Sequence, residues 1–380
     1  MRDKILEGHS LLFSDRILSC ISESRAGGIE AERFDVCGAY VSPGFIDVHV
    51  HGAGGADVMD ATDESMDTFS RCLAEHGVTA FLPTTLTSPR ERLSAAADNV
   101  KRAMERQLPG AMVIGLHLEG PWIDHGHKGA HPQEHIEDIP DAEWVARRAD
   151  VIRTVTFSPR KDPRHVFLKR LLELEIVPSL GHTDANFEEG LAAVEAGAKS
   201  ITHIFNAQTG LHHREPGLVG AALCSSVMCE LIPDGSHVRA ELFDPLCKAL
   251  SADRLMLVTD SMRAAGLHNA GLPNTGLPDG EYDFAGRPVS IKDGLPRLHD
   301  GTIAGSSLFM DRGVLNVWKA TGRPLPEVVR MAAANPAKLH GLESRKGEIA
   351  PGGDADIACF DEELNVLMTF VGGRLVYERG

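Results

Sequence analysis

Two histidines, His49 and His51, stand two residues apart at the end of an apolar run in the motif GFIDVHVHG (residues 44–52). Side chains two apart on a strand point to the same face, so both imidazoles can reach one metal ion. An isolated pair of this kind also occurs on a hairpin edge that binds nothing. The remaining sequence must decide between half of a metal site and a hairpin edge.

Ligand-type side chains also follow other apolar runs of the chain. The runs that predict β-strands are residues 45–50, 78–82, 112–119, 152–157, 176–180, 200–204, 227–232 and 254–259. Beyond His49 and His51, these runs end in or lead into His117, Glu119, His182, His203, Asp234, His237 and Asp260. A lone histidine is more often a hydrogen-bonded core residue. Six strand ends with such groups favour one shared site.

The elements that must position these residues alternate along the chain. Between the strands lie amphipathic segments with apolar stripes at helical spacing, such as Met66, Phe69 and Leu73. Eight strands alternating with helices favour a parallel sheet closed into a (β/α)₈ barrel, and a doubly wound open sheet is the alternative. In a barrel the active site lies at the C-terminal ends of the strands, where the polar residues cluster.

The two ends of the chain have a different pattern. Residues 1–43 contain short strand-like runs, and residues 346–380 contain alternating runs with Gly-Gly turns. Together they predict a small β-sandwich domain built from both termini, beside a barrel of residues 44–345. Between the last barrel strand and the C-terminal runs, residues 274–300 predict a β-excursion, and residues 307–321 and 325–340 predict two helices.

Composition excludes several classes of partner. The 380 residues are 43% hydrophobic, enough for a sizeable core, and carry a formal net charge of −16. Nucleic acids and anionic membrane surfaces need a basic footprint, so neither is expected as a partner. An anionic substrate would need a local basic pocket. Seven cysteines without a CxxC pair, and an N-terminus without a long apolar run, predict a cytoplasmic protein with reduced thiols.

The candidate ligands point to a catalytic metal site. Histidine with carboxylate suits Zn²⁺, the favoured ion, and also Fe²⁺, Mn²⁺ or Co²⁺, whereas the lack of cysteine disfavours a closed structural zinc site. Glu119, His182 and His203 could bind one ion and leave a position open for water. His49, His51 and Asp260 could bind a second ion, with Glu119 shared between the two. A bound ion lowers the pKa of its water, and Asp260 is the candidate proton shuttle.

These residues in this order resemble the metal-dependent amidohydrolase superfamily. Seven blocks resemble, more narrowly, the N-acetylglucosamine-6-phosphate deacetylase family: GLHLEGPWIDHGHKGAHP (115–132), GHTDA (181–185), THIFNAQTGLHHREPG (202–217), DGSHV (234–238), VTDSMRAAG (258–266), AGSSL (304–308) and ANPAKLHGL (334–342). The resemblance runs from about Gly44 to the C-terminus. It implies hydrolysis of the N-acetyl group of N-acetylglucosamine 6-phosphate, giving glucosamine 6-phosphate and acetate.

The resemblance also implies roles for individual residues. Glu119, His182 and His203 would bind the principal metal. His131 would polarise the acetamide carbonyl, and Asp260 would be the catalytic acid and base. The implied substrate contacts are Ala130, His131, Asn206, Ala207, Arg214, Asp234, His237, Ile303, Ala304 and Gly305. Arg214 is a planar donor suited to phosphate, and a surface ion pair with Glu215 is its alternative.

Several alternatives stay open. Some members of the family work with one metal, whereas this chain keeps both His49 and His51, so one or two ions per subunit are possible. The alternative activities are an N-acetylgalactosamine-6-phosphate deacetylase, a D-aminoacylase or a cyclic-amide hydrolase. A non-catalytic barrel that binds a sugar phosphate is the alternative outside enzymes. The family also implies a homodimer with the phosphate pocket near the subunit interface.

Overall fold

A computed structural model describes residues 4–267, 279–284, 287–292 and 295–380. The strands in these residues are β1 (His9–Phe13), β2 (Ile17–Ser22), β3 (Tyr40–Pro43), β4 (Phe45–Val50), β5 (Gly52–Ala53), β6 (Ala56–Asp57), β7 (Val78–Thr85), β8 (Met112–Val113), β9 (Leu116–Glu119), β10 (Ile152–Phe157), β11 (Val177–Leu180), β12 (Ser200–Ile201), β13 (Met228–Leu231), β14 (Leu255–Leu257), β15 (Gly280–Phe284), β16 (Arg287–Lys292), β17 (Leu295–Arg297), β18 (Ile357–Phe360), β19 (Val366–Val371) and β20 (Arg374–Glu378).

Helices alternate with most of the central strands. The α-helices are α1 (Glu23–Ala26), α2 (Asp63–Ala74), α3 (Arg90–Met104), α4 (Ala142–Ala146), α5 (Val166–Glu173), α6 (Phe187–Glu195), α7 (Gly217–Leu223), α8 (Phe243–Leu250), α9 (Met310–Thr321), α10 (Leu325–Ala332) and α11 (Ala334–Leu339). Short 3₁₀ helices occur at Val58–Asp60, His125–His127, Gln133–His135, Pro159–Lys161 and Ala240–Leu242. Within the described ranges, no helix combines the length and the apolar composition needed to cross a membrane.

Eight parallel strands form a sheet that curls into a barrel, in the order β4, β7, β9, β10, β11, β12, β13 and β14. The first and last strands meet where they end, because the N–H of Asp260 donates a 2.8 Å hydrogen bond to the carbonyl of His49. Asp47 strengthens this seam, since its Oδ2 accepts a 2.6 Å hydrogen bond from Thr259 Oγ1. The predicted (β/α)₈ barrel is confirmed, and the open doubly wound sheet is excluded.

The barrel strands are buried because helices cover their outer face. All residues of β4 and β7 are buried, as is usual in parallel sheets with helices packed on them. The predicted apolar stripe of α2 packs into this core, with Met66, Phe69 and Leu73 at most 1% exposed. On this side of the barrel the helices therefore shield the strands from solvent.

The strands predicted at 112–119 and 200–204 differ from the structure in ways that bear on the polar residues they carry. The run 112–119 is divided into β8 and β9 around Gly115, whose φ of +144° interrupts the extended backbone. The run 200–204 ends as a strand at Ile201, so His203 lies in the turn beyond β12. Glu119 therefore stands at the end of the short strand β9, and His203 stands in a turn.

The predicted helices near the C-terminus also differ in detail. The helix predicted at 307–321 begins at Met310, because Phe309 is extended at φ −109° and ψ 157°. The helix predicted at 325–340 is interrupted at Ala333, which lies outside the helical region at φ −134° and ψ −70°. Pro336 explains the break, since it has no N–H to donate to the carbonyl of Ala332.

Both termini contribute to one antiparallel sheet beside the barrel. β3 pairs with β18, which continues into β19 and β20. The β19–β20 hairpin turns at Gly372 and Gly373, with φ of 54° and 76°, a conformation that favours glycine. β1 and β2 form a separate hairpin. The division of the chain at residues 43/44 and 345/346 stays a prediction.

The excursion predicted at 274–300 contains an antiparallel sheet of β15, β16 and β17. Residues 274–278, 285–286 and 293–294 of that segment lie outside the described residues. After β17 the chain returns to the barrel, where the N–H of Ser306 donates a 2.7 Å hydrogen bond to the carbonyl of Asp260. This contact places the loop around Gly305 beside the end of β14.

Candidate active site

The carboxylate of Glu119 lies at the centre of a group of buried imidazoles. Glu119 is the last residue of β9 and is 1% exposed. Five histidines surround it, with distances from Nε2 to a carboxylate oxygen of 3.1 Å for His182 and His203, 3.2 Å for His131, and 3.4 Å for His49 and His51. Residues between 49 and 203 in the sequence thus meet at one point.

Asp260 completes the group from the end of β14. Its Oδ1 lies 3.2 Å from Nε2 of His51 and 3.6 Å from Nε2 of His49. Asp260, His182 and His203 all have left-handed backbone, with φ of 49°, 48° and 28°. Such backbone costs about 1–3 kcal/mol per residue and persists where the surrounding structure imposes it, which is common at functional sites.

Backbone carbonyls decide where two of the imidazoles carry their proton. Nδ1 of His51 lies 2.9 Å from the carbonyl of Thr84, and Nδ1 of His182 lies 2.9 Å from the carbonyl of His127. A carbonyl oxygen only accepts, so Nδ1 carries the hydrogen in both rings. In the neutral rings Nε2 therefore keeps its lone pair, and Nε2 is the atom that faces Glu119.

These converging atoms fit a divalent metal ion. Nε2 of His203 lies 3.1 Å from Nε2 of His182 and 3.1 Å from Glu119, and a single proton serves only one of these contacts, whereas a cation serves both. Among the described residues, His49 Nε2 and His203 Nδ1 are buried without a hydrogen-bond partner. Four overlapping groups have ligand atoms within 4.8 Å of one another: His49, His117 and Glu230; His49, Glu119 and His203; His49, His51 and Asp260; and Glu119, His131 and His182.

The two carboxylates stay ionised at neutral pH. Burial opposes the charge of Asp260, but the hydrogen bond from a protonated His51 and the positive charge of a protonated His49 hold its pKa below the ordinary value. Burial also opposes the charge of Glu119, but His49 and His182 hold its pKa well below the ordinary value. The site therefore offers negative charge to a divalent cation, and a cation that displaces the Nε2 protons of these histidines would gain their lone pairs as ligands.

His131 has the opposite proton arrangement. The backbone N–H of Thr87 donates a 3.1 Å hydrogen bond to Nδ1 of His131, and the Thr87 hydroxyl lies 2.7 Å from the same atom. A backbone N–H only donates, so the hydrogen of the neutral ring sits on Nε2. Burial, reinforced by the charge of His182, lowers the pKa of His131 to about 4. At neutral pH this ring presents an N–H donor to the site.

The site opens into a cavity of about 520 Å³. Seven of the predicted substrate residues line it: Ala130, His131, Asn206, Ala207, His237, Ile303 and Gly305. Among the described residues, the lining does not include Arg214, Asp234 or Ala304. Arg214 is exposed, and its guanidinium lies 2.8 Å from Nε2 of His213. Its predicted role in phosphate binding stays a prediction.

Asp234 acts on the cavity through His237. Its Oδ1 accepts a 2.7 Å hydrogen bond from the backbone N–H of His237, and its Oδ2 accepts a 2.6 Å hydrogen bond from Nδ1. Burial alone would lower the pKa of His237, but the hydrogen bond and charge of Asp234 raise it above the ordinary value. The pair thus favours a cationic imidazole in the cavity wall, although the protein as a whole is acidic.

Glu230 and Thr87 contact imidazoles of the site and were not predicted from the sequence. Glu230, in β13, is 1% exposed and its Oε2 lies 2.9 Å from Nδ1 of His49. A signal was present, because an acidic residue inside the apolar run MCELI must find a partner when it is buried. Thr87 holds His131 by a backbone N–H, which leaves no trace in the residue type.

A barrel with imidazoles and carboxylates converging at its strand ends is the architecture of metal-dependent hydrolases. The sequence profile described as Amidohydrolase family matches residues 40–376. The chain therefore belongs to the amidohydrolase family. Membership of this family implies that the site described above binds a divalent metal ion.

Relatives and solved structures narrow the resemblance. The chain is 34% identical over 374 residues to an N-acetylgalactosamine-6-phosphate deacetylase of Escherichia coli O157:H7, covering 97% of this chain and 95% of that one. It is 36% identical over 343 residues to an N-acetylglucosamine-6-phosphate deacetylase of Bacillus subtilis, covering 88% and 84%. These likenesses confirm the resemblance predicted from the motifs.

Two solved structures share the fold over almost the whole chain. The N-acetylglucosamine-6-phosphate deacetylase of Pasteurella multocida superposes with a TM-score of 0.91 at 29% identity, covering 99% of this chain and 96% of that one. A mutant of the Mycobacterium smegmatis enzyme in complex with N-acetyl-D-glucosamine-6-phosphate gives a TM-score of 0.86 at 30% identity, covering 96% and 93%.

Proposed function

We propose that this protein hydrolyses the N-acetyl group of N-acetylglucosamine 6-phosphate, giving glucosamine 6-phosphate and acetate. One observation carries the proposal. The candidate ligands Glu119, His182 and His203 line the same cavity as the N–H donor of His131 and the carboxylate of Asp260. Relatives that cover most of the chain act on acetylated amino-sugar phosphates. Together these support an amide substrate rather than an ester or a phosphate bond.

Glu119, His182 and His203 would hold the principal ion, with His49, His51 and Asp260 available for a second. The nitrogen and oxygen ligands favour Zn²⁺, with Fe²⁺, Mn²⁺ or Co²⁺ as alternatives. A bound ion would supply a Lewis acid and a water of lowered pKa. This donor set lacks cysteine, and its carboxylates and imidazoles leave room for substrate on the cavity side.

Two side chains would carry the proton chemistry. His131 Nε2–H is a fixed donor suited to the oxygen of the acetamide carbonyl, whose negative charge grows as the carbonyl is attacked. Asp260 is ionised before the reaction, so it can accept a proton from the attacking water. It can then deliver that proton to the departing amine, which must be protonated to leave.

The sugar phosphate would be held by other residues of the cavity wall. His237 offers a cationic imidazole there, and Asn206 and Ala207 line the same space. Arg214 is exposed outside the lining, which supports the proposal that it serves a phosphate pocket completed by a second subunit of a homodimer. A molecular mass of one subunit by sedimentation, at working concentration, would count against the dimer.

A cytoplasmic location is proposed on the state of the cysteines. All seven are free thiols in the structure. Disulfides form and persist in oxidising compartments, whereas the cytoplasm keeps thiols reduced. The net charge of −16 supports the further proposal that neither nucleic acid nor an anionic membrane surface is a partner.

The test is acetate release from N-acetyl hexosamines on protein of measured metal content. The panel contains the glucosamine and galactosamine epimers, each with and without the 6-phosphate. We expect turnover of N-acetylglucosamine 6-phosphate and little turnover of unphosphorylated sugars. Equal rates with and without phosphate would contradict the roles of His237 and Arg214. A metal-loaded protein that releases no acetate from any sugar of the panel would favour a D-aminoacylase or cyclic-amide substrate instead.

The galactosamine epimer is the second candidate. It is favoured because the Escherichia coli relative that covers 97% of this chain is a galactosamine enzyme, at an identity similar to that of the glucosamine enzymes. A higher kcat/KM for N-acetylgalactosamine 6-phosphate would select it. A barrel that only binds sugar phosphates would release no acetate and would lack tightly bound metal.

A further inference from the structure

Glu230 is a buried carboxylate that the chemistry proposed above does not use. It lies in β13, between Cys229 and Leu231, both of which are 0% exposed. A charged group in such a place is strongly unfavourable unless it is paired, so its neighbours must account for its presence.

The neighbours of Glu230 are two of the candidate metal ligands. Its Oε2 accepts a 2.9 Å hydrogen bond from Nδ1 of His49 and a 3.2 Å hydrogen bond from the backbone N–H of His203. A carboxylate at Nδ1 keeps the proton on that nitrogen and leaves the lone pair on Nε2. Nε2 of His49 faces Glu119 at 3.4 Å and Asp260 at 3.6 Å.

We propose that Glu230 is a positioning residue that makes His49 a metal ligand, and thereby sets the affinity of the His49, His51 and Asp260 end of the site for a second ion. The inference rests on the proposed metal-dependent function, but it does not depend on which amide is hydrolysed. It predicts two ions per subunit, of which one depends on Glu230.

A direct ligand role for Glu230 fits the structure less well. The third member of its group would be His117, both of whose ring nitrogens are already engaged. Nδ1 of His117 lies 3.2 Å from the carbonyl of Val48, which only accepts, so Nδ1 carries the hydrogen. Nε2 then accepts the 2.7 Å hydrogen bond from the hydroxyl of Thr156. His117 has no lone pair left for an ion.

The test is Zn²⁺ titration of metal-free protein by calorimetry, with elemental analysis after gel filtration. We expect two ions in the wild-type protein. Glu230→Gln keeps an oxygen that accepts from Nδ1 but loses the charge, so the affinity for one ion should fall about 10–100-fold, while the other ion stays within about threefold. Glu230→Leu and the reference variant His49→Gln should each retain one ion.

A matched control and the contrary outcomes complete the experiment. Glu241→Gln alters an exposed carboxylate paired with Arg239, and it should bind both ions as the wild type does. Far-ultraviolet circular dichroism checks folding, and Glu230→Gln remains informative if the leucine variant does not fold. One ion in the wild type, wild-type affinity in Glu230→Gln, or an equal loss at both sites would overturn the proposal.

The outcome of this metal-binding experiment can be distinguished from the outcome of the activity test. Two ions with a selective loss in Glu230→Gln uphold the inference even if no sugar in the acetate panel is hydrolysed. Acetate release from N-acetylglucosamine 6-phosphate by a one-ion wild-type protein would uphold the activity and overturn the inference.

Discussion

The histidines around Glu119 differ according to the group that faces Nδ1. A backbone carbonyl faces Nδ1 of His51 and His182, which leaves Nε2 free as a ligand atom. A backbone N–H faces Nδ1 of His131, which makes Nε2 a donor. One residue type therefore supplies both ligand and hydrogen-bond donor at neutral pH, and the partner behind each ring selects between them.

Asp260→Asn tests the proton shuttle. The amide keeps the size of the carboxylate but cannot take the proton of the attacking water, so kcat should fall about 10²–10⁴-fold. Glu119, His182 and His203 are unchanged, and elemental analysis should still find the principal ion. Steady-state kinetics on N-acetylglucosamine 6-phosphate measure the loss, and a wild-type rate would remove Asp260 from the mechanism.

The pH dependence of substrate binding should report on His237. Asp234 raises the pKa of His237 in the folded protein, so the imidazolium persists to higher pH and is lost as the pH rises through that raised value. KM for the phosphorylated substrate should therefore rise on the alkaline side.

Asp234→Asn is the comparison for this pH dependence. It removes the charge that stabilises the imidazolium, so the rise in KM should move to lower pH. KM for an unphosphorylated acetamide is the internal control, since it has no anion to bind His237. A parallel rise for both substrates would assign the pH dependence to another group.

At the scale of elements, the site depends on where strands end and on how the barrel closes. β14 is three residues long, and Asp260 lies three residues beyond its end, with left-handed backbone and its carboxylate 3.2 Å from Nε2 of His51. Asp47 ties this end to β4, because Oδ1 is 3.3 Å from the N–H groups of His49 and Thr259 and Oδ2 accepts from the Thr259 hydroxyl. The seam thus aligns the first and last pieces of the site.

Asp47→Ala should open this seam. The change leaves two backbone N–H groups and a hydroxyl without their acceptor in the core, which should lower the free energy of unfolding by about 3 kcal/mol. Urea unfolding of the metal-free protein measures the loss. Asp47→Asn keeps an acceptor oxygen of the same shape and should lose less, and equal stability of both variants with the wild type would show that the seam does not need Asp47.

At the scale of the whole molecule, one buried charge cluster joins the two ends of the chain to the barrel. Lys346 contacts the carboxylates of Asp354, at 3.0 Å, and Asp356. Arg16, from the N-terminal hairpin, lies 3.3 Å from Asp354. The N–H of Gly44, at the start of the first barrel strand, donates to the carbonyl of Asp356. Segments more than 300 residues apart in sequence therefore meet at Asp354 and Asp356, whose carboxylates Lys346 neutralises.

Lys346→Met should be strongly destabilising. It leaves the buried carboxylate of Asp356 without its cation and removes the buried partner of Asp354, which keeps only Arg16 and Arg345. The expected cost is about 3–5 kcal/mol of unfolding free energy. Lys319→Met is the matched control, because Lys319 forms an exposed pair with Glu363 and should cost about 1 kcal/mol or less. Thermal and urea unfolding measure both variants, and similar losses in the two would contradict a special role for the cluster.

The pattern of the sequence determined the barrel, the strand ends that carry the site and most of its residues. Parallel strands all place their C-terminal ends at one edge, so His49, Glu119, His182, His203 and Asp260 were expected to meet. Residue type and spacing were sufficient because each of these side chains belongs to a strand end that the apolar pattern marks.

The tertiary structure decided the features that depend on contacts across the barrel. It brought Glu230 behind His49 and the N–H of Thr87 behind His131, and these contacts between distant segments set which ring nitrogen is a ligand. It also ended the sixth strand before His203 and left Arg214 outside the cavity. Local periodicity carries no information on such pairings, because a hydrogen bond depends on the position and direction of two groups that only the closed barrel brings together.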